Sequence, residues 1–157
     1  MISTNTLFAE RDAAATHALV IDETGHYEAL AAAEHLVSKG ANVTYVTRFT
    51  SVAPEMEGPH MIEPFHERMA GKPFAYHVNT RVLKVDGQSA TLQSIHGGET
   101  IQVNADCVVF VSLNKPRDEL VPALEAAGIP YSYAGDVNTP LFLVAATAQG
   151  HQAGRVV

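Results

Sequence analysis

Residues 17–47, HALVIDETGHYEALAAAEHLVSKGANVTYVT, contain the pattern that best predicts the fold. Its first part, His17–Asp22, is a short apolar run, and its last part, Asn42–Thr47, is rich in β-branched residues, so both are predicted strands. Tyr27–Lys39 between them has apolar residues at helical spacing, and Gly40 follows as a stop signal. A strand, a helix and a strand within about thirty residues predict a right-handed parallel crossover.

Further elements follow this crossover unit. After a predicted loop at Phe49–Pro59 come a helix and a strand, over His60–Ala70 and Phe74–Asn79. Short runs separated by turns at Asp86-Gly87 and Gly97-Gly98 then predict a three-stranded antiparallel meander. The chain closes with a strand, a helix, a strand and a helix, over Cys107–Ser112, Asp118–Ala127, Ile129–Ala134 and the residues from Thr139 onward.

This order of elements predicts an α/β fold. We expect a Rossmann-like three-layer domain in which a parallel sheet is combined with an antiparallel β-meander crossover. By analogy at the level of the fold, such a meander is characteristic of flavoproteins with two dinucleotide-binding domains.

The composition favours a globular protein and argues against nucleic-acid-binding and membrane-spanning classes. The chain has 157 residues, of which 46% are hydrophobic, so it is long and apolar enough to form a globular core. The formal charge is −7 and the ten Lys and Arg are scattered, which argues against a nucleic-acid partner. Because the sequence has no apolar run of about 18 residues and no signal peptide, we expect no membrane span and a cytoplasmic location.

No catalytic residue or metal site is predicted. The single cysteine, Cys107, excludes an internal disulfide framework and an iron–sulfur cluster ligated by this chain alone. It lies in an apolar strand, where we expect an inert core thiol. The eight histidines do not have the spacing of metal ligands, and no candidate nucleophile lies on a recognisable elbow.

The closing stretch Ala134–Pro140, AGDVNTP, has the parts of a nucleotide site. Gly135 would let backbone approach a ligand closely, and Asp136 could accept hydrogen bonds from a sugar hydroxyl. Thr139 is a predicted N-cap and Pro140 suits the first position of the following helix, whose N-terminus attracts anions.

The first turn, DETGHY at residues 22–27, lies where a dinucleotide-binding domain has its glycine fingerprint. Only Gly25 remains, and the neighbouring carboxylates would repel a phosphate. One interpretation is a modified nucleotide pocket at Gly25, with His26 and Tyr27 facing the ligand because they begin the helix above the carboxyl edge of the sheet. The other, which the charges favour, is a turn that kept its shape and lost its ligand. Arg48, after the second strand, is either a ligand for the 2′-phosphate of NADP or an exposed surface residue.

Two segments resemble one family of flavin enzymes. They are ALVIDETGHYEALAAAEHL at residues 18–36, running on to Val46, and AGDVNTPLFLVAATAQGHQAGR at residues 134–155. Both are similar to the C-terminal nucleotide-binding region of the trimethylamine dehydrogenase and 2,4-dienoyl-CoA reductase family, NADH:flavin oxidoreductases related to old yellow enzyme. The first segment, with its lost glycines, resembles the trimethylamine dehydrogenase side.

The resemblance implies a multidomain context. Family members have a barrel that carries FMN, a 4Fe-4S cluster, and two Rossmann-like domains, one for FAD or ADP and one for NAD(P)H. Residues 1–16 are predicted from the sequence to be a tail or linker. Because the second domain is inserted into the first, the resemblance implies a Rossmann-like NAD(P)-type domain at 17–128, degenerate if its first turn has lost its ligand. It also implies a returning strand and helix of the FAD/ADP domain at 129–157, completed by a partner. Gly135 and Asp136 match the position that contacts the ribose or ribityl group, and Asn138 and Thr139 match the start of the adjacent helix.

The missing barrel and cluster motif imply a partner. We expect a larger flavoprotein subunit that supplies FMN, the 4Fe-4S centre and the rest of the FAD or ADP site, with NAD(P)H not favoured as a cofactor. The chain would then be a small subunit, inactive alone, of a demethylase or enoyl reductase. The alternatives are a domain excised from a longer protein, a ligand-free module that is structural or docks an electron carrier, and an independent NAD(P)H-binding oxidoreductase.

Overall fold

The computed structural model describes residues 1–9, 15–140 and 142–155. The chain forms two compact units, Met1–Ser112 and Leu113–Val157, which are described separately. Residues 10–14 of the predicted tail, Leu141 and the last two residues of the predicted closing segment lie outside the described residues.

The elements in chain order match most of the predicted ones. The helices are α1 Thr4–Ala9, α2 Tyr27–Ser38, α3 Ile62–Met69, α4 Val121–Ala126 and α5 Leu143–Gly154. The strands are β1 His17–Asp22, β2 Asn42–Thr47, β3 Phe74–His77, β4 Thr80–Asp86, β5 Ser89–Ser94, β6 Thr100–Asn104 and β7 Cys107–Val111. Two short 3-10 helices, Pro54–Met56 and Gly135–Val137, lie in the segments between them.

The first unit is built on a parallel sheet with strand order β3-β2-β1-β7. β1 pairs in parallel with β2 on one side and with β7 on the other. The strand order therefore reverses between β1 and β7, and in open α/β sheets ligands bind beyond the carboxyl ends of the strands at such a point. The β1–α2 turn follows this edge of the sheet.

Both faces of the parallel sheet are covered. Helices α1, α2 and α3 pack on one face through buried residues that include Leu7, Leu36 and Phe65. The antiparallel meander β4-β5-β6 covers the other face, where Ala90 and Leu92 pack with residues of β1, β2 and β7. This three-layer arrangement confirms the predicted fold class and explains why β1 and β7 are almost continuously apolar.

The first nine residues differ from the predicted tail. They fold onto the first unit, because α1 buries Leu7 in the core and Ile2 forms a parallel bridge with Val109. Two backbone hydrogen bonds hold that bridge, from Ile2 N–H to the Val108 carbonyl at 2.8 Å and from Phe110 N–H to the Ile2 carbonyl at 2.9 Å. The sequence gives little sign of this, since the segment is short and has no amphipathic repeat.

Helix α3 contains a proline close to its N-terminus. The helix begins at Ile62, so Pro64 lies in the first turn, where the backbone N–H has no intrahelical acceptor. The predicted loop before it contains the 3-10 helix Pro54–Met56, which buries Met56.

The second unit has the predicted helices but not the predicted strand. Among the described residues, no backbone–backbone hydrogen bond involves residues 130–134, so Ile129–Ala134 forms no strand. A strand exists only by pairing with a neighbour, and this stretch has none in the structure. No described residue of Leu113–Val157 is buried.

The helices give no indication of a membrane segment. None of those in the described ranges is both long enough and apolar enough to cross a bilayer.

Candidate functional site

Asp22 is the central residue of the β1–α2 turn. It ends β1, and its side chain is completely buried. Its Oδ1 atom accepts hydrogen bonds from the Thr24 N–H at 2.9 Å, the Gly25 N–H at 2.8 Å and the Thr24 hydroxyl at 3.0 Å. The carboxylate therefore takes up the backbone donors that this turn presents.

Tyr45 holds the other oxygen of the same carboxylate. Its hydroxyl donates to Asp22 Oδ2 at 2.5 Å, and the whole tyrosine is buried. Burial first, and the negative charge of Asp22 second, raise the pKa of Tyr45 above its ordinary value, so the hydroxyl remains a donor. The Thr47 hydroxyl also donates to the Asp22 carbonyl at 3.1 Å, which fixes the backbone at the end of β1.

The space beside Gly25 is filled by the chain itself. Gly25 has φ +69°, and a Cβ atom built on it would lie 3.1 Å from both Phe49 and Pro54. Its carbonyl accepts a hydrogen bond from the Glu55 N–H at 3.0 Å. The segment after β2 thus packs against the turn on the side where Gly25 lacks a side chain.

Arg48 lies at the end of β2 with a carboxylate partner. Its Nε is 3.2 Å from Glu23 Oε2, and its guanidinium stands 5.2 Å from the centre of the Phe49 ring. A 2′-phosphate at this arginine would have to share the guanidinium with the Glu23 carboxylate. The predicted ligand role of Arg48 therefore competes with Glu23.

His26 is the N-cap residue of α2, but its side chain does not cap the helix. Its Nδ1 lies 3.2 Å from Glu28 Oε2, and its ring packs edge-on against Tyr27 with centroids 4.7 Å apart. Glu28 belongs to the first helical turn, where its negative charge is stabilised by the helix dipole. That is the position that a ligand phosphate takes in a dinucleotide-binding domain.

The residues of this turn do not fit a bound pyrophosphate. Asp22, Thr24 and Tyr27 have the spacing at which the glycine fingerprint has its three glycines. The structure brings the predicted residues Gly25, His26 and Arg48 close to the same turn. It places them among carboxylates and packed side chains, with the backbone donors of Thr24 and Gly25 already bonded.

The predicted residues Gly135, Asp136, Asn138 and Thr139 lie in the second unit, around the 3-10 helix Gly135–Val137. Gly135 has φ +71°, and its N–H donates to Gln149 Oε1 of α5 at 2.8 Å. Its carbonyl accepts from the N–H groups of Asn138 and Thr139 at 2.9 and 3.0 Å. The glycine therefore holds this turn against the following helix.

Helix α5 begins later than predicted. Its N-cap is Phe142 and its first residue is Leu143, so the prediction that Thr139 caps the helix and Pro140 opens it is wrong. The reason is the 3-10 turn, because the N–H of Thr139 is bonded to Gly135 and the chain passes through Pro140 before the helix starts. No side chain caps α5 in the described residues.

The side chains of this turn are open to solvent. Asp136, Asn138 and Thr139 are all exposed. Within the described ranges, no hydrogen bond or ion pair involves the carboxylate of Asp136, although its backbone carbonyl accepts from the Arg117 N–H at 3.2 Å. Its oxygen atoms are thus available to the hydroxyl groups of a ligand.

A groove of about 700 Å³ lies in the second unit, and the sequence did not predict it. Tyr131 and Tyr133 form one part of it, with rings nearly perpendicular and centroids 5.3 Å apart. Asn138, Gln149 and Gln152 bring amide groups to the same groove. The signal that could have found it is the Tyr-Ser-Tyr alternation together with two glutamines three residues apart on one helix.

The two sets of predicted residues belong to different units. Gly25, His26 and Arg48 are in Met1–Ser112, and Gly135, Asp136, Asn138 and Thr139 are in Leu113–Val157. Among the described residues, no group of three or more His, Cys, Asp or Glu side chains is arranged to hold a metal ion. Cys107 is partly buried against the core of the first unit.

Comparison with known proteins gives structural matches. No family model matches the chain, and no curated protein matches its sequence. The 6-hydroxypseudooxynicotine amine oxidase of Pseudomonas geniculata N1 superposes with a TM-score of 0.91 at 24% identity, over 98% of this chain and 24% of that one. Histamine dehydrogenase from Rhizobium sp. 4-9 superposes with a TM-score of 0.86 at 20% identity, over 98% of this chain and 25% of that one.

A 2-naphthoyl-CoA reductase has the same fold with a TM-score of 0.74 at 19% identity, over 88% of this chain and 21% of that one. The chain therefore spans about a quarter of the length of these proteins. The matches show that this fold occurs as one part of larger chains whose names are those of oxidoreductases.

Proposed function

We propose that this chain is one component of a flavin-dependent oxidoreductase of the trimethylamine dehydrogenase type, either as a small subunit or as a C-terminal region. Its second unit would supply part of an FAD or ADP site that another part of the enzyme completes. The observation that carries the proposal is the second unit itself, which presents an open Gly135–Asp136 turn and has no buried residue in its described ranges.

The apolar surface of the second unit supports a covering partner. Leu143 and Val144, at the start of α5, are 80% and 79% exposed, and Ile129 is 51% exposed. Exposed apolar side chains that cluster in one short unit indicate an interaction surface rather than a free domain. A larger flavoprotein chain or region with an FMN-carrying barrel is the partner that we propose.

The residues of the turn fit the sugar part of a nucleotide. Asp136 offers free carboxylate oxygens, and the exposed side chains of Asn138 and Thr139 add an amide and a hydroxyl beside it. FAD or ADP at this turn would provide an electron-transfer group or a structural nucleotide. FMN and a 4Fe-4S centre are proposed for the partner, since the resemblance assigns both to regions that this sequence does not contain.

The reaction class is proposed from the resemblance and from the structural matches. Oxidation of an amine, including N-demethylation, and reduction of an acyl-CoA substrate are the two candidates. Two of the matched proteins are named as an amine oxidase and a histamine dehydrogenase, which favours amine oxidation. The naphthoyl-CoA reductase corresponds to the second candidate.

The test is a nucleotide analysis of the assembled complex. The chain is expressed with its genomic neighbours, the complex is purified, and released nucleotides are identified after denaturation. We expect FAD or ADP in the wild type and its loss in Asp136→Ala, while the matched variant Asp86→Ala, at an exposed carboxylate of the first unit, retains it. A complex that contains FMN as its only nucleotide would contradict the proposal.

A second candidate is a ligand-free module that completes the partner's fold or docks an electron carrier. The β1–α2 turn favours it, because the backbone donors of that turn bond to Asp22 and the side chains of Phe49 and Pro54 pack beside Gly25. The same experiment separates the two candidates. A stable complex without FAD or ADP, in which Asp136→Ala changes neither assembly nor turnover, would support the ligand-free module.

A further inference from the structure

We infer that Asp22 is a built-in anion of the β1–α2 turn: its carboxylate occupies the place of a ligand phosphate, so this turn does not hold NAD(P)H. The inference concerns the first unit alone. It goes beyond the proposed function, which rests on the second unit. An experiment can therefore disprove the inference about the β1–α2 turn without disproving the proposed nucleotide site, and the reverse also holds.

The first step is the use of hydrogen-bond donors. In a dinucleotide-binding turn, backbone N–H groups after the first strand point at the pyrophosphate. Here the N–H groups of Thr24 and Gly25 and the hydroxyl of Thr24 all donate to one oxygen of Asp22, at 2.8 to 3.0 Å. An anionic acceptor that bonds to several converging donors does for this turn what a phosphate oxygen would do.

The second step is the burial of this carboxylate. Asp22 is completely buried, as is Tyr45, which donates to the other oxygen. A buried carboxylate is stable only where its oxygens are hydrogen-bonded, and both oxygens of Asp22 are. A ligand phosphate could reach these donors only by displacing a carboxylate that is buried and hydrogen-bonded through both oxygens, which costs free energy.

The third step is the surrounding charge and packing. Phe49 and Pro54 fill the space beside Gly25, at 3.1 Å from the position of a Cβ atom. Glu23 pairs with Arg48, and Glu28 lies in the first turn of α2. A pyrophosphate at this position would meet carboxylates in place of donors and packed side chains in place of open space.

The consequence concerns the source of electrons. If this turn holds its own anion, the first unit keeps its fold in the absence of NAD(P)H and does not deliver a hydride from it. In a flavin-dependent complex, the electron partner of this chain's enzyme must then bind at another surface.

Hydrogen exchange in the full-length wild-type chain tests the inference directly. The amide protons of Thr24 and Gly25, measured by NMR without added ligand, should exchange as slowly as the amides of β1. Titration with NADPH or NADH up to about 1 mM should change neither these signals nor the exchange rates. Rapid exchange of both amides, or saturable binding of either nucleotide that shifts them, would overturn the inference.

A second experiment tests whether an added carboxylate restores the thermal stability of a variant that lacks the Asp22 carboxylate. Asp22→Ala leaves its donors unpaired, and we expect Tm to fall by about 10 °C. Sodium formate, whose carboxylate can fill the vacated place, should raise the Tm of this variant more than equimolar sodium chloride does. Asp22→Asn is the matched control, since its amide oxygen can accept from Thr24 and Gly25 and its side chain leaves no space; formate and chloride should affect it equally.

An unchanged Tm in Asp22→Ala would overturn the inference, because the carboxylate would then not hold the turn. Where Asp22→Ala is too unstable to purify, the wild-type exchange measurement and the nucleotide titration decide the question without it.

Discussion

The two units contain similar parts in opposite states. Each has a glycine at positive φ, a carboxylate within three residues of it and a helix further along: Asp22 and Gly25 before α2, and Gly135 and Asp136 before α5. Asp22 is buried and bonded through both oxygens, whereas Asp136 is exposed with its oxygens open to a ligand. Such a motif can therefore become a binding site only where its own chain leaves the carboxylate without internal hydrogen-bond donors.

The surroundings of the two motifs explain the difference. Two hydrophobic clusters pack against the sheet of the first unit, and they shield the Asp22 turn from water. The second unit has no buried residue within its described ranges. A buried carboxylate such as Asp22 requires hydrogen-bond donors from its own chain. An exposed one such as Asp136 is solvated by water and can bind donors of a ligand or partner.

Removal of the two carboxylates should have the most unequal effects. Asp22→Ala leaves the Thr24 and Gly25 N–H groups and the Tyr45 hydroxyl without an acceptor, and we expect a loss of about 4 kcal/mol in the free energy of unfolding. Asp136→Ala, at an exposed residue, should change it by less than about 0.5 kcal/mol. Urea denaturation of the full chain followed by circular dichroism measures both, and equal effects would abolish the distinction.

Truncation of one leucine in each unit tests the difference in packing. Leu36 of α2 is completely buried, so Leu36→Ala should cost about 3 kcal/mol of unfolding free energy. Leu143 of α5 is 80% exposed, so Leu143→Ala should leave the isolated chain unchanged and weaken its binding to the partner. Thermal unfolding and a pull-down with the partner separate the two effects; a large loss of stability in Leu143→Ala would argue that α5 is already packed.

The two glycines should differ by a smaller amount. Gly25→Ala combines a positive φ with close approaches to Phe49 and Pro54, and we expect a cost of about 2.5 kcal/mol. Gly135→Ala has the same conformational cost, about 1 kcal/mol, but the nearest side-chain atom, in Ala146, is 3.7 Å away. The ratio of the two losses, measured by urea denaturation, reports how tightly each turn is enclosed.

The Tyr45–Asp22 hydrogen bond should affect how the free energy of unfolding depends on pH in the alkaline range. Burial and the charge of Asp22 raise the pKa of Tyr45 in the folded chain, so its stabilising contribution is complete below the unfolded pKa of about 10 and declines as the pH rises further. Tyr45→Phe should cost about 1 kcal/mol at pH 7 and make the decline above pH 10 shallower. An unchanged slope between pH 9 and 11 would show that Tyr45 does not titrate with unfolding.

Arg48 should have the smallest effect. Its side chain is 56% exposed and pairs with Glu23, an arrangement that contributes about 0.5 kcal/mol or less. Arg48→Ala should therefore leave Tm within about 2 °C of the wild type. A larger fall, measured by thermal unfolding at low salt, would mean that the guanidinium also supports the packing of Phe49.

Much of the fold could be predicted from the sequence because periodicity and local stop signals determine it. The strands β1 and β2 have the predicted bounds, and the turn at Asp86-Gly87 gives the expected hairpin. The fold of residues 1–9 could not be predicted, since Leu7 and Ile2 are single apolar residues whose burial depends on distant parts of the chain. The strand at Ile129–Ala134 was predicted from its composition, but a strand also needs a neighbour to pair with.

The site was predicted less fully, and for a physical reason. The charges of the first turn suggest a poor phosphate site, but the sequence does not show that Asp22 turns inward to bond Thr24, Gly25 and Tyr45. The helix start at Thr139 was wrong because Gly135 forms a 3-10 turn that uses the Thr139 N–H. The orientation of the Asp22 side chain and the 3-10 turn at Gly135 both depend on which donors and acceptors pair in the folded chain, and a linear sequence does not specify that pairing.

Amide hydrogen exchange tests most directly whether the first unit is packed on its own while the second unit needs a partner. It is measured on the full chain, alone and within the assembled complex, by mass spectrometry of peptides. We predict that peptides from residues 17–111 are protected in both samples. Peptides from residues 129–155 should exchange rapidly in the isolated chain and become protected only in the complex. Protection of residues 129–155 in the isolated chain, unchanged on assembly, would contradict the account.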